Sequence, residues 1–147
     1  MFLPPYCTIE HIGSTSVPGL IAKPVIDIML GAPDLSYVED RQEALAKLDF
    51  HYVAEFTAAM PERRYFVRPA LHPRDVHLHA VVYDGEFWRD HLLFRDALRR
   101  DEALAQAYAT LKRELAATYA DSSWAYTEAK TGFVRAALNH ARMTAKQ

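Results

Sequence analysis

Only one cysteine, Cys7, stands among the 147 residues. No disulfide can form within the chain, and a reducing compartment, the cytoplasm, is the expected setting. An excess of charge of either sign is also missing: 17 Lys and Arg face 19 Asp and Glu, for a net charge of −2. Without a basic excess there is no electrostatic footprint for non-specific nucleic-acid binding, although a local basic pocket is compatible with the balance. No apolar run approaches the roughly 20 residues that span a bilayer, so a membrane is not an expected partner. The first residues lack the basic-then-apolar pattern of a secretory leader. Internal repeats and low-complexity tracts are absent. Glycine is scarce, at five residues.

What is present is apolar mass. Half of the residues are hydrophobic, enough for a real core in one domain covering residues 1–147. Two rhythms divide the chain. From Cys7 to Val82, β-rich runs alternate with turns: CTIEHI, PVIDIML, HYVAEF, RRYFVRP and VHLHAVV. Between the second and third, Leu35, Val38, Ala44, Leu45 and Leu48 follow approximately helical spacing. From Glu86 onward no strand signal recurs. Phe87, His91, Phe94 and Leu98 form one stripe, Leu104, Tyr108, Leu111, Leu115 and Tyr119 a second, and Ala129, Phe133, Ala136, Ala137 and His140 a third. Asp101 is positioned as an N-cap of the second helix. A small sheet followed by three amphipathic helices predicts an α+β, or mixed α/β, fold with a helical C-terminal half.

Chemistry concentrates in the first half. The run IEHIGSTSVPGL leaves a strand at Gly13, Ser14, Thr15 and Ser16. Small residues, open backbone N–H groups and three hydroxyls form a plausible cradle for phosphate oxygens. The alternative is a tight turn whose hydroxyls cap its own backbone. In the next strand, alternation puts Ile26, Ile28 and Leu30 on one face, wholly aliphatic, and Val25, Asp27 and Met29 on the other. A carboxylate among aliphatics needs a cation, a metal or several hydrogen bonds to offset its desolvation; a neighbouring arginine or loop would also satisfy it. VHLHAVV repeats the arrangement, with His77, His79 and Val81 on one face and Val76, Leu78, Ala80 and Val82 on the other. If the two strands are neighbours, Asp27, His77 and His79 converge, either as ligands of a divalent metal or as hydrogen-bonding groups for a substrate. His77 and His79 followed by Asp84 also brush against the metal motif of cupins. That all-strand architecture needs more glycine-rich turns than this chain holds, and it fails on the helical half.

A strand, a Gly-Ser turn and a strand bearing an acid resemble the nucleotidyltransferase superfamily that includes DNA polymerase β. More narrowly, IEHIGSTSVPGLIAKPVIDIML, RRYF, HLHAVV, HLLFRDALRR, YATLKRELA and YTEAKTGFV resemble, in order and spacing, the GrpB family across residues 8–142. The resemblance implies a nucleotidyltransferase-like mixed sheet packed with helices. It implies that Gly13, Ser14, Thr15 and Ser16 hold nucleotide phosphates, with Lys23, Arg64, Lys112 and Lys130 as further cations. Arg64 is favoured for its bidentate fork. Tyr126 and Phe66 are candidates to stack on a base, although aromatics at such spacings are more often core. Asp27 and His79 would be catalytic, and Asp27, His77 and His79 would hold a metal, Mg²⁺ first. The expected ligand is a nucleotide or another phosphorylated small molecule, and the expected activity is nucleotidyl transfer to a small-molecule or protein acceptor.

Two departures bear on this. The superfamily carries a second acid two residues after the first, where this chain has Met29, and two-metal chemistry needs shared carboxylates. Either one metal held by Asp27 and the nucleotide suffices, or the domain is a non-catalytic nucleotide- or metabolite-binding module. The resemblance also implies a helix before the first strand, whereas MFLPPY begins almost at the strand. A missing helix would expose an apolar groove open to a second subunit, which leaves a homodimer open.

Overall fold

The computed structural model describes residues 7–20, 24–71, 73–119 and 122–145. Among the described residues, five strands form one mixed sheet: β1 (Thr8–Ile12), β2 (Ile26–Ala32), β3 (His51–Tyr52), β4 (Arg63–Arg68) and β5 (Val76–Val82), in the order β1-β2-β5-β4-β3. Only the β2–β5 pair among the described residues is parallel, and the long crossover that a parallel pair needs is the segment between these strands. The α-helices among the described residues are α1 (Leu35–Glu39), α2 (Gln42–Lys47), α3 (Glu86–Arg100), α4 (Glu102–Thr118) and α5 (Ser123–Ala145). This is the α+β layout that the two rhythms predict.

The chain divides into two compact units. The first comprises Met1–Ser16 and Ala22–His91, the second Val17–Ile21 and Leu92–Gln147. In the first unit, period-two alternation decides which face is core. Leu30, Ala32, Phe66, Leu78 and Ala80 project to one side and pack with Val38 of α1 and Leu45 of α2. Phe66 is 1% exposed, and full burial of such a side chain contributes about 1.5–3 kcal/mol. On the opposite face Met29, Val67 and Val81 are fully buried. Trp88 lies over Gly31, where a Cβ would stand 2.8 Å from the indole.

The periodicity predicts one helix between β2 and β3, but the structure holds two. Asp34 caps α1 by accepting from the Tyr37 amide (2.7 Å). Arg41 ends it: its guanidinium donates to the Tyr37 carbonyl (3.0 Å) and lies over the Tyr37 ring. A side chain that satisfies a terminal carbonyl stops the helix where apolar spacing alone would continue it. β3 is also shorter than HYVAEF suggests, because a 3₁₀ turn takes over at Ala54–Phe56.

In the second unit, Val17, Leu98, Ala105 and Tyr108 are buried together, with Phe94 and Phe133 packed against them. The Tyr108 and Phe133 rings stack at 5.6 Å. Asp101 caps α4 as the sequence predicts, accepting from the Leu104 amide at 3.0 Å.

Candidate functional site

Register brings the acid and the two histidines together. Asp27 of β2 lies opposite Ile12 of β1 on one side and His77 of β5 on the other. His79 is two residues further along the same face, between Met29 and Tyr65 of the neighbouring strands. His79 Nε2 is 3.0 Å from Asp27 Oδ1 and His77 Nδ1 is 3.5 Å from the same oxygen.

A third strand completes the cluster. The Arg63 guanidinium donates from one terminal nitrogen to His79 Nδ1 at 3.1 Å. A nitrogen that accepts carries no proton, so the His79 proton is on Nε2 and is donated to Asp27. Both ring nitrogens are thereby engaged, which suits an orienting role better than that of a free base. Arg63 also lies over the Tyr65 ring, 4.7 Å from its centroid. Tyr65 in turn meets the rings of His77 and His79 at 5.5 and 5.3 Å. Phe87 of α3 stacks between His79 and His91, at 6.3 and 3.8 Å, and His91 Nδ1 donates to the Phe87 carbonyl.

Burial sets the electrostatics. It pushes the His77 pKa below the usual imidazole value, against the opposing pull of Asp27 and with the help of His79 and Arg74. The Tyr65 phenol is pushed up, by burial first and by Asp27 second. Burial also lowers the Arg63 guanidinium and the His91 imidazole from their ordinary values.

The turn after β1 abuts this cluster. Gly13 has φ +77°, and a Cβ there would stand 2.6 Å from Asp27 Oδ2. Ser14–Ser16 form a single 3₁₀ turn closed by the Ser16 amide on the Gly13 carbonyl (3.1 Å).

The structure corrects two of the expectations, Arg64 and Phe66, and gives the other candidates their places and partners. Ser16 is buried and its hydroxyl donates to the Gly13 carbonyl, so it serves the turn. The Thr15 hydroxyl is paired with His11 Nε2 at 2.8 Å. Arg64 projects to the opposite sheet face, with Ala80 as its register partner, and binds Glu39 (2.9 Å) and the Pro61 carbonyl (2.8 Å). Phe66 is core and cannot stack on a base. Lys112 and Lys130 belong to the second unit, Lys112 over the Tyr108 ring at 5.3 Å and Lys130 on α5. Tyr126 also lies on α5. Ser14 is half-buried at the start of the turn. Lys23 lies outside the described residues.

Sequence reasoning missed Arg63, Arg74, Tyr65, Phe87 and His91. A signal existed for the first: in RRYF, the core residue Phe66 shares parity with Arg64, which assigns Arg63 and Tyr65 to the Asp27 face. Among the described residues, no group of three His, Cys, Asp or Glu is disposed to hold a metal ion. The donor chemistry explains this. The His79 lone pair is given to Arg63 and its N–H to Asp27, and Mg²⁺ prefers oxygen ligands. His79, with both ring nitrogens engaged, does not fit as a metal ligand in this arrangement. No helix among the described residues is long and apolar enough to cross a membrane.

The fold and the cluster define an α+β domain with an Asp-His-His-Arg face beside a small-residue turn. The GrpB protein family matches over residues 1–140, and the chain belongs to that family. It is 37% identical over 138 residues to a UPF0157 protein of Deinococcus radiodurans, covering 93% of this chain and 69% of that protein. It is 33% identical over 142 residues to UPF0157 protein YqkA of Bacillus subtilis, covering 97% of this chain and 40% of that one. The crystal structure of the conserved protein GrpB from Enterococcus faecalis superposes with a TM-score of 0.81 at 33% identity, covering 98% of this chain and 86% of that chain.

Proposed function

We propose that this chain binds a phosphorylated small molecule, with a nucleoside triphosphate as the leading class, where the Gly13–Ser14 turn meets Asp27. The reading is carried by one observation: the turn and the acid are in contact, with no room for even a Cβ between Gly13 and the Asp27 carboxylate. A turn of small residues lets phosphate oxygens approach the backbone closely. The adjoining imidazoles and guanidinium offset the charge of Asp27. Placement in the nucleotidyltransferase-like superfamily, with transfer of a nucleotidyl group, is the finer form of this proposal.

One observation favours the second reading, a non-catalytic binding module. Met29 occupies the position of a second acid and is completely buried, so the strand offers a single carboxylate to the site. A thermal-shift series of nucleotides, with and without Mg²⁺ or Mn²⁺, tests binding. A labelled-nucleotide transfer assay then separates the enzyme from the module. Ser14→Ala is expected to weaken nucleotide binding by about 1–2 kcal/mol, or about 5–30-fold, with a smaller change in melting temperature. Lost stability with unchanged affinity would reduce the turn to a structural role.

A further inference from the structure

Two arginines approach the Asp27 face from opposite ends. Arg63 opens β4, and the register pairs it with Val81 near the end of β5. Arg74 precedes β5 at Val76. Both act electrostatically on the Tyr65 hydroxyl, and Arg74 also acts on His77. Tyr65 is only 9% exposed. Among the described residues, no hydrogen bond closes on its hydroxyl.

The arginines share an unusual feature. The Nε of each is buried and has no hydrogen-bond acceptor among the described residues. A buried orphan donor is costly, and a guanidinium donor more so. The carboxylate nearby does not relieve it, because Asp27 Oδ1 is taken up by His79 and His77. The two guanidinium charges are met by Asp27 and, at Arg63, also by Glu62, yet two N–H groups and a phenol lack acceptors among the described residues. Guanidinium forks match oxyanions in geometry and charge.

We infer that Arg63, Arg74 and Tyr65 form an oxyanion subsite that takes the phosphate end of the ligand, with pyrophosphate as its minimal occupant. Arginines reaching in from opposite ends of the face suit an elongated polyanion better than a single small one. The subsite deepens the proposed phosphorylated-ligand reading, yet it stands on different residues from the Gly13–Ser14 turn. The two therefore fail separately.

The test is calorimetric titration of the full chain with sodium pyrophosphate, against sodium chloride of matched ionic strength. Saturable binding is expected. Arg74→Gln should weaken it at least 10-fold and Tyr65→Phe a few-fold. Arg74→Lys, which keeps the charge but not the fork, should fall between the wild type and Arg74→Gln. Melting curves without ligand verify that each variant folds, and Arg74→Gln should melt no lower than the wild type because an orphan donor is removed. Loss in Arg74→Gln with Ser14→Ala unchanged would support the subsite and count against the turn. Loss in Ser14→Ala with Arg74→Gln unchanged would overturn the subsite and support the turn. No pyrophosphate binding, or binding unaffected by either variant, would overturn the subsite.

Discussion

The backbone of Gly13 rests against the carboxylate of Asp27, so closely that a Cβ would stand 2.6 Å from Oδ2. Two constraints coincide at this residue. Its φ of +77° is a conformation that side-chain-bearing residues adopt at a cost, and the space a side chain would need is already filled. The end of β1 is thereby locked to the acid of β2, one position beyond the pairing of Ile12 with Asp27.

Gly19 separates these two constraints. Its φ is +80°, yet nothing lies within 4 Å of where its Cβ would stand. Gly19→Ala should cost only the backbone term, about 1–2 kcal/mol. Gly13→Ala should cost that plus an overpacking term, about 2–4 kcal/mol in all. In a double-mutant cycle, Asp27→Ala should recover part of the Gly13→Ala loss, with a coupling of about 0.5–3 kcal/mol. Denaturant melts of the four variants measure this. Equal costs at the two glycines would remove the contact.

Stability should decline on acidification through the ordinary imidazole range. Burial lowers the pKa of both His77 and His91 in the folded chain, from a reference of 6.5. Between those lowered values and 6.5 the unfolded chain binds more protons than the folded one. Stability is therefore retained above 6.5, falls as pH drops through it, and levels off once the folded histidines also protonate. The melting temperature at pH 5.5 should lie below that at pH 7.5. His91→Gln, which keeps a donor for the Phe87 carbonyl, should flatten the slope. An unchanged slope in that variant would assign the pH dependence elsewhere.

The hydrogen bond from Arg63 to His79 makes a spectroscopic prediction. Nitrogen chemical shifts of His79 should report a proton on Nε2 and an acceptor at Nδ1. Arg63→Met should release Nδ1 and shift the ring toward a mixture of tautomers, while His77, which contacts Asp27 directly, should move less. A His79 spectrum identical in wild type and variant would show that Arg63 does not fix the tautomer.

Much of this architecture is legible in the residues, and the exceptions have a common cause. Alternation in PVIDIML and VHLHAVV suffices to put Asp27, His77 and His79 on polar strand faces, because one aliphatic face forces the other outward. Asp101 declares its cap through local backbone chemistry. Arg64 misleads because two arginines in succession occupy opposite faces, and the parity that separates them is read only once Phe66 is assigned to the core rather than to base stacking. The break between α1 and α2 is equally hidden, since it depends on the Arg41 guanidinium folding back onto Tyr37. Arg74 escapes notice altogether: it precedes a strand in a loop, where no periodicity tells which way a side chain turns.

Asp27→Asn probes the centre of the cluster. The carboxylate raises the His77 pKa against the downward push of burial, so its neutralisation should lower that pKa further. The amide still offers an oxygen to the His79 N–H, and the fold should persist with a small change in melting temperature; removal of a partly buried charge can even be stabilising. Nucleotide affinity and any Mg²⁺ dependence of it should fall, because the strand's one carboxylate is the hard-oxygen ligand a divalent cation would select. A proton-detected titration of the histidines and a nucleotide titration, each run on both proteins, give the two readouts. A His77 pKa that rises in Asp27→Asn would refute the ion-pair geometry, and unchanged nucleotide and metal titrations would confine Asp27 to orienting His79.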